Sequence, residues 1–240
     1  MKNIQQTAIL TVFALLTGCA APHSSTKSTG SFTTQTKASQ EAITPAQAVA
    51  QLKAGNERFV SGHRLHRDLH AQVKQTSAGQ YPFASIVNCF DSRTSVELIF
   101  DQGLGDVFNA RIAGNIVNDD ILGSLEFGAK VVGSKVIAVI GHTSCGAVKG
   151  ACDNVQLDHL TGLLAHIQPA VTAVQTAPGE PRSSKNAPFV EKVAAENVRL
   201  AMKTIRDRSP LLKEMMDRGQ IQLVGGIYDL ETGRVEFFAN

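Results

Sequence analysis

Cys89-Phe90-Asp91-Ser92-Arg93 and, about fifty residues downstream, His142-Thr143-Ser144-Cys145-Gly146 carry the side chains of this chain best suited to chemistry. Two thiols and one imidazole form a soft donor set suited to zinc. Three protein ligands leave a fourth position for water or substrate, the arrangement of a catalytic rather than a structural site. A closed site would add a fourth Cys or His in a short-spaced pair, and none is offered. Free thiols, with pKa near ~8.5, become ligands once a metal deprotonates them. Two thiolates and a neutral imidazole then leave a zinc dication without net charge. Water at the open position ionises near pH ~7, and the resulting hydroxide attacks an electrophilic carbon, of which CO2 is the simplest.

Asp91 stands two residues beyond Cys89, and Arg93 two beyond Asp91. Alternate residues at a strand end share a face, so the carboxylate can reach the open position. It can orient a bound nucleophile by accepting its hydrogen bond, or ligate the metal itself and close the site. Arg93 decides between the two, because a guanidinium fork grips a carboxylate through both oxygens. The bland alternative is a surface ion pair of little consequence.

The elements around these motifs must hold them at one edge of a sheet. The apolar runs Phe83–Val87 and Val136–Ile140 each end at a turn just before a motif. The thiols and the imidazole therefore sit where buried strands stop, which is where open α/β sheets bind ligands. Thr44-Pro45 is a cap followed by proline at the first helical position, and a helix through about Val60 follows. A second helix is predicted over His66–Thr76, then a turn at Gly79–Pro82 and a strand Phe83–Cys89. A short helix Thr94–Phe100, a turn Gly103–Asp106 and a strand Val107–Ile112 come next. Beyond these are a helix Ile121–Val132, a strand Lys135–Gly141 and a helix starting at Gly146. Leu157–Val174 contains a helix, Ala177–Pro188 reads as loop, and Phe189–Arg208 and Pro210–Arg218 read as helices. Ile221–Tyr228 and Arg234–Phe238 read as strands joined at Glu231-Thr232-Gly233. Strands alternating with helices predict an α/β fold: a mostly parallel central sheet of about four strands, an antiparallel C-terminal edge strand, and flanking helices.

The chain has 240 residues, 43% of them hydrophobic, enough for a sizeable core. Its formal net charge of +2 argues against an electrostatically held nucleic acid. Residues 1–18 read as an export signal, with Lys2 as the positive start, Thr7–Leu16 as a short apolar segment, and Leu16-Thr17-Gly18-Cys19 resembling the bacterial lipoprotein cleavage box. Cys19 is then the lipidated residue, and the only membrane attachment is its lipid; an ordinary secretory signal is the plainer alternative. No stretch reaches the ~18 apolar residues of a membrane span. Residues 19–43, poor in large apolar side chains, are expected to be a flexible tether, and 44–240 the catalytic domain. The expected location is periplasmic and lipid-anchored. Cys152 lacks a partner and is expected to be a buried small hydrophobe.

Cys-x-Asp-Ser-Arg followed by His-x-x-Cys-Gly resembles the β-class carbonic anhydrases. The resemblance runs over about residues 45–240 and includes Gly103–Asn115, Gly123–Phe127 and Gly141–Ala147 in family order. Either motif alone is only suggestive, whereas the pair is specific. The resemblance implies zinc on Cys89, His142 and Cys145, the dyad Asp91–Arg93, and reversible hydration of CO2 to bicarbonate. It also implies a site built at a subunit interface, hence a homodimer or homotetramer. Gln80 falls where the family places a glutamine that hydrogen-bonds substrate; read by itself, it is a turn residue before Pro82. Ile86 stands three residues before Cys89, where members with an inhibitory bicarbonate pocket carry tryptophan, and the chain has no tryptophan. Arg111 matches the arginine of that pocket, and alone it is expected to serve packing or the interface, so bicarbonate inhibition is expected to be absent. Hydrolases of carbonyl sulfide or carbon disulfide share the architecture, and an envelope protein with purely structural zinc is the non-enzymatic alternative. His63, His66 and His70 read as solvent-facing. His159 and His166, on one helical face, either relay protons or lie at the surface. The Gly103–Gly105 pair lacks the third glycine of a dinucleotide fingerprint, Phe108 standing in its place.

Overall fold

The computed structural model describes residues 34–239. The apolar runs form one five-stranded sheet in the order β2-β1-β3-β4-β5. Its strands are β1 (Ala84–Asn88), β2 (Val107–Arg111), β3 (Val136–His142), β4 (Gln222–Tyr228) and β5 (Val235–Phe237). β1 pairs in parallel with both β2 and β3, and β3 with β4, while β5 runs antiparallel to β4. Every residue of β1 and β3 is buried, as expected for the central strands of a parallel sheet covered on both faces.

The helices, in chain order, are α1 (Lys37–Ala42), α2 (Pro45–Val60), α3 (Leu69–Thr76), α4 (Val96–Ile99), α5 (Asp119–Glu126), α6 (Gly146–Cys152), α7 (Asp158–Ala165), α8 (Gln168–Ala173), α9 (Ala187–Arg208) and α10 (Pro210–Asp217). The region 127–132 continues α5 with π-helical geometry, and Ala113–Asn115 forms a short 3-10 turn. One face of the sheet packs Leu52, Phe83, Ile99 and Phe100, and the other Leu125, Ile137, Val198 and Leu212. A third cluster places Cys89 and Cys145 among Val148, Ile167, Phe189 and Val193. At Gly141 an added Cβ would lie 2.7 Å from Val198 Cγ2 and 2.9 Å from Ile227 Cδ1, so α9 lies directly against the end of β3.

Several expectations need correction. The tether expected over 19–43 ends in a helix, α1. Thr36 and Ser39 cap it reciprocally, and the buried amide of Gln40 donates to the Pro82 carbonyl at 2.8 Å. The second helix starts at Leu69 rather than His66, because Asp68 caps it through the Ala71 N–H. Pro169, in the first turn of α8, divides 157–174 into two helices. Asn186 caps α9, which begins two residues ahead of Phe189. The export signal and Cys19 lie outside the described residues. Among the described residues no helix is long and apolar enough to cross a membrane.

Candidate metal centre

The chain runs from β1 outward to β2 and returns to place β3 on the other side of β1. The gap beyond the carboxyl ends of β1 and β3 is therefore the topological switch point of the sheet. Both motifs open there. Cys89 directly follows β1, His142 is the last residue of β3, and Cys145 precedes the first turn of α6. The ligand atoms of Cys89, His142 and Cys145 all lie within 4.8 Å of one another, and all three residues are buried. The two sulfurs are 3.8 Å apart.

The imidazole has a defined tautomer. His142 Nδ1 lies 2.8 Å from the Thr143 carbonyl, which can only accept, so Nδ1 carries the proton. Nε2 then holds the lone pair, and it is buried without a hydrogen-bond partner. An unpartnered buried nitrogen beside two sulfurs fits a soft dication, which would satisfy all three at once. Thr143 is itself fixed, its N–H donating to the Tyr228 carbonyl at 3.0 Å and its hydroxyl accepting from the Leu230 N–H at 3.0 Å.

The thiols are electrostatically unequal. The Cys145 hydrogen bond lowers the pKa of Cys89 against the effect of burial, helped by His142 and by the Gly114 N–H, which donates to Cys89 Sγ at 3.3 Å. The same contact with Cys89, together with burial, pushes the Cys145 thiol up. One negative charge is thus shared between the sulfurs, and a dication would stabilise the second. Burial pulls the His142 pKa down, but Cys89, the Thr143 carbonyl and Asp91 outweigh it, and the net direction is up.

Asp91 and Arg93 stand at the rim. Arg93 Nε donates to Asp91 Oδ1 at 2.9 Å, Arg93 Nη2 to Oδ2 at 2.8 Å, and the Arg93 N–H to Oδ1 at 3.0 Å. These bonds hold the carboxyl well below the usual carboxylate range. Asp91 Oδ2 still lies 3.9 Å from His142 Nε2, at the edge of the donor set. The surrounding loop is fastened by Thr94, whose hydroxyl donates to the carbonyls of Cys89 and Asp91 at 3.0 and 2.9 Å. Arg111 reaches in from the end of β2 and donates through Nε to the Cys89 carbonyl at 3.3 Å and through Nη2 to the Asp91 carbonyl at 2.5 Å. Within this chain, Arg111 braces the loop backbone.

Gln80 is the expected site residue that the fold does not bring in. It is exposed in the turn before β1, beside Val73, Thr76 and Leu104. Cys89 follows the opposite end of that strand, whose five residues alone span ~17 Å. Ile86 is fully buried in the core. Cys152 is half-buried against the third apolar cluster, and burial pushes its thiol up to about 11. His63, His66, His70, His159 and His166 are all exposed. Sequence reasoning missed Glu191, which accepts the N–H of Ser144 at 2.9 Å, and Asn197, which donates to the Gly114 carbonyl at 2.7 Å. Both lie on α9, remote in sequence from the motifs, so no local pattern pointed to them.

Comparison with known proteins agrees with this geometry. A family profile described as carbonic anhydrase matches residues 84–235. The chain is similar to carbonic anhydrase 2 of Mycobacterium tuberculosis, 35% identical over 192 residues, covering 79% of this chain and 91% of the relative. It is 34% identical to a carbonic anhydrase of Mycolicibacterium smegmatis over 195 residues, covering 80% and 92%. Among solved structures, the β-carbonic anhydrase CcaA superposes with a TM-score of 0.62 at 25% identity, covering 80% of this chain and 95% of that one. A structure from a study of two tetrameric β-carbonic anhydrases of Sordaria macrospora superposes at 0.61 with 21% identity, covering 81% and 95%, and shares the fold.

Proposed function

Because this chain belongs to the carbonic anhydrase family, in its β class, we propose that it catalyses the reversible hydration of CO2 to bicarbonate and a proton on a zinc ion held by Cys89, His142 and Cys145. The observation that carries the reading is the convergence of those three buried donors beside a carboxylate already gripped by arginine. When bound, zinc supplies the Lewis acidity that ionises water near neutral pH.

The chain's own residues do the rest. Cys89 and Cys145 contribute the negative charge that balances the ion. His142 contributes the Nε2 lone pair, with its ring fixed by the Nδ1 bond to Thr143. Asp91 accepts the hydrogen bond of the attacking O–H and turns its lone pair toward the CO2 carbon. Arg93 keeps Asp91 in that role by occupying both carboxylate oxygens. The proton released in each cycle leaves to buffer or to a side-chain relay.

Stopped-flow CO2 hydration by the zinc-loaded protein tests the reading, with Cys145→Ser expected to lose both stoichiometric zinc and activity. Hydration surviving in the metal-free variant would overturn it. Carbonyl sulfide and carbon disulfide run in the same assay decide the substrate, and turnover is expected with CO2 alone.

We also propose that the protein works as a homodimer or larger assembly of copies. The position of Gln80 supports this, since its side chain can reach a substrate at Cys89 only from another subunit. Exposed Leu69, Val73, Leu98 and Leu104 supply apolar surface for such contacts. Light scattering on the purified protein checks it. We further propose export and lipid attachment at Cys19, on the strength of the Leu16–Cys19 box. Loss of membrane fractionation in Cys19→Ala is the expected result.

A further inference from the structure

Gly114 is held from both sides. Its N–H donates to Cys89 Sγ at 3.3 Å, and its carbonyl accepts from Asn197 Nδ2 at 2.7 Å. The turn that carries it is not one the chain adopts readily. Gly114 has φ 68° and its neighbour Asn115 φ 42°, two successive residues in the left-handed region. A side chain at Gly114 would meet Ile167 Cδ1 at 2.5 Å, so the backbone lies pressed against the start of α8. Asn115 closes the turn through its backbone N–H, which donates to the Ile112 carbonyl at 2.9 Å, while its buried side-chain Nδ2 has no hydrogen-bond partner. A side-chain anchor comes from Asn197, 98% buried in the middle of α9 and 83 residues away in sequence.

We infer that Asn197 is a positioning residue for the thiolate ligand: by fixing Gly114, it aims the Gly114 N–H at the sulfur of Cys89. An N–H donated to a thiolate draws charge from the sulfur and fixes the direction of its remaining lone pairs. The long helix thereby sets the donor strength of one ligand without touching it. The inference rests on the zinc reading above.

Cobalt(II) substitution tests it, through the sulfur-to-cobalt charge-transfer band. Asn197→Leu keeps the volume and removes the donor. The freed sulfur should give up charge more easily, so the band is expected to move to longer wavelength. Because Cys89 also loses the contact that fixes its direction, and this loss is expected to outweigh its greater donor strength, the apparent zinc dissociation constant in chelator competition is expected to rise about tenfold. Asn197→Gln keeps an amide donor and should stay closer to the parent. Ile205→Val, a core change farther along α9, should lower the melting temperature and leave the band in place. If Asn197→Leu does not fold, Asn197→Ser removes the reach of the donor at smaller volume, and the same readings decide. An unmoved band with unchanged zinc retention, in a parent that binds cobalt normally, overturns this inference alone. A parent that binds no cobalt overturns the zinc reading as well.

Discussion

Arg93 closes on Asp91 through two guanidinium nitrogens, Nε and Nη2, at 2.9 and 2.8 Å, while Asp91 Oδ2 stays 3.9 Å from His142 Nε2. The carboxylate therefore stands at the edge of the candidate donor set and is held there by Arg93. Arg93→Ala removes that partner and leaves the three ligands intact. The expected outcome is zinc retention with kcat/KM lowered about 100-fold or more, the scale of a lost orienting contact. X-ray absorption should then count a protein carboxylate oxygen beside two sulfurs and one nitrogen. Asp91→Asn should cost a similar factor without the added oxygen. The double variant should cost little more than either single one, because both remove one function.

Gln80 and Cys89 flank opposite ends of β1, so complementation between chains is a sharp test. Gln80→Ala keeps its own metal ligands, and Cys145→Ser keeps its glutamine. If the glutamine acts on a neighbour's substrate, a mixed oligomer holds one complete site per pair. Co-refolding the two inactive variants is expected to restore up to about a quarter of parental activity at equal mixing, as random pairing into dimers with one good site requires. Restoration absent from a verified mixed oligomer would place Gln80 outside the chemistry.

The convergence of Cys89, His142 and Cys145 was legible in the sequence because the candidate donors are local to two motifs, and because the apolar runs before them read as buried strands. The strand order was not written locally, yet alternating strands and helices sufficed for a parallel sheet with one reversed edge. What stayed hidden was long-range. The helix Lys37–Ala42 lies in a polar stretch whose order depends on Gln40 meeting the Pro82 carbonyl, 42 residues on. Arg111 could be placed on a strand, but its grip on the Cys89 and Asp91 carbonyls depends on the register of β2 against β1. Glu191 and Asn197 are ordinary polar positions on an amphipathic helix until α9 is packed against the end of β3. The separation of Gln80 from Cys89 within one chain follows from strand direction, which the eight intervening residues conceal.

Ile86 and Arg111 bear on regulation by bicarbonate. Ile86 is wholly inside the core, where tryptophan would have to displace neighbours such as Phe83 and Ile99. Arg111 is already engaged with the loop carbonyls. No arginine–tryptophan pocket can form here, so bicarbonate is expected to inhibit as a simple product, with a hyperbolic dependence at alkaline pH. Cooperative inhibition accompanied by Asp91 on zinc would refute this. Arg111→Ala should lower activity by loosening the Cys89–Asp91 loop, without making the inhibition cooperative.

Asp101 makes the clearest prediction for stability and its pH dependence. Its Oδ2 accepts from Arg58 Nε at 2.5 Å and from the Leu65 N–H at 3.1 Å, and its Oδ1 accepts from Arg67 Nη1 at 2.6 Å. The side chain is 3% exposed, and the backbone takes φ 47°, a region Asp and Asn tolerate better than most residues. Burial pushes the carboxyl up, but Arg58, Leu65 and Arg67 together outweigh it and leave the pKa lowered. A carboxyl lowered on folding stabilises fully above its unfolded value near ~3.9, and that stability is lost as pH falls through the lower folded value. Asp101→Ala removes the carboxylate from two guanidinium groups, which keep only their bonds to the Asp101 carbonyl, and leaves the part-buried Leu65 N–H unpaired; it is expected to cost about 3 kcal/mol in urea unfolding at neutral pH, the lower end for a broken buried pair. Asp101→Asn keeps the backbone tolerance and one acceptor oxygen, so its cost should be smaller. Both variants should show a shallower loss of stability below pH ~4 than the parent, since the group responsible for part of that slope is gone. An alanine variant as stable as the parent would mean that the two arginines find solvent as readily as they find Asp101.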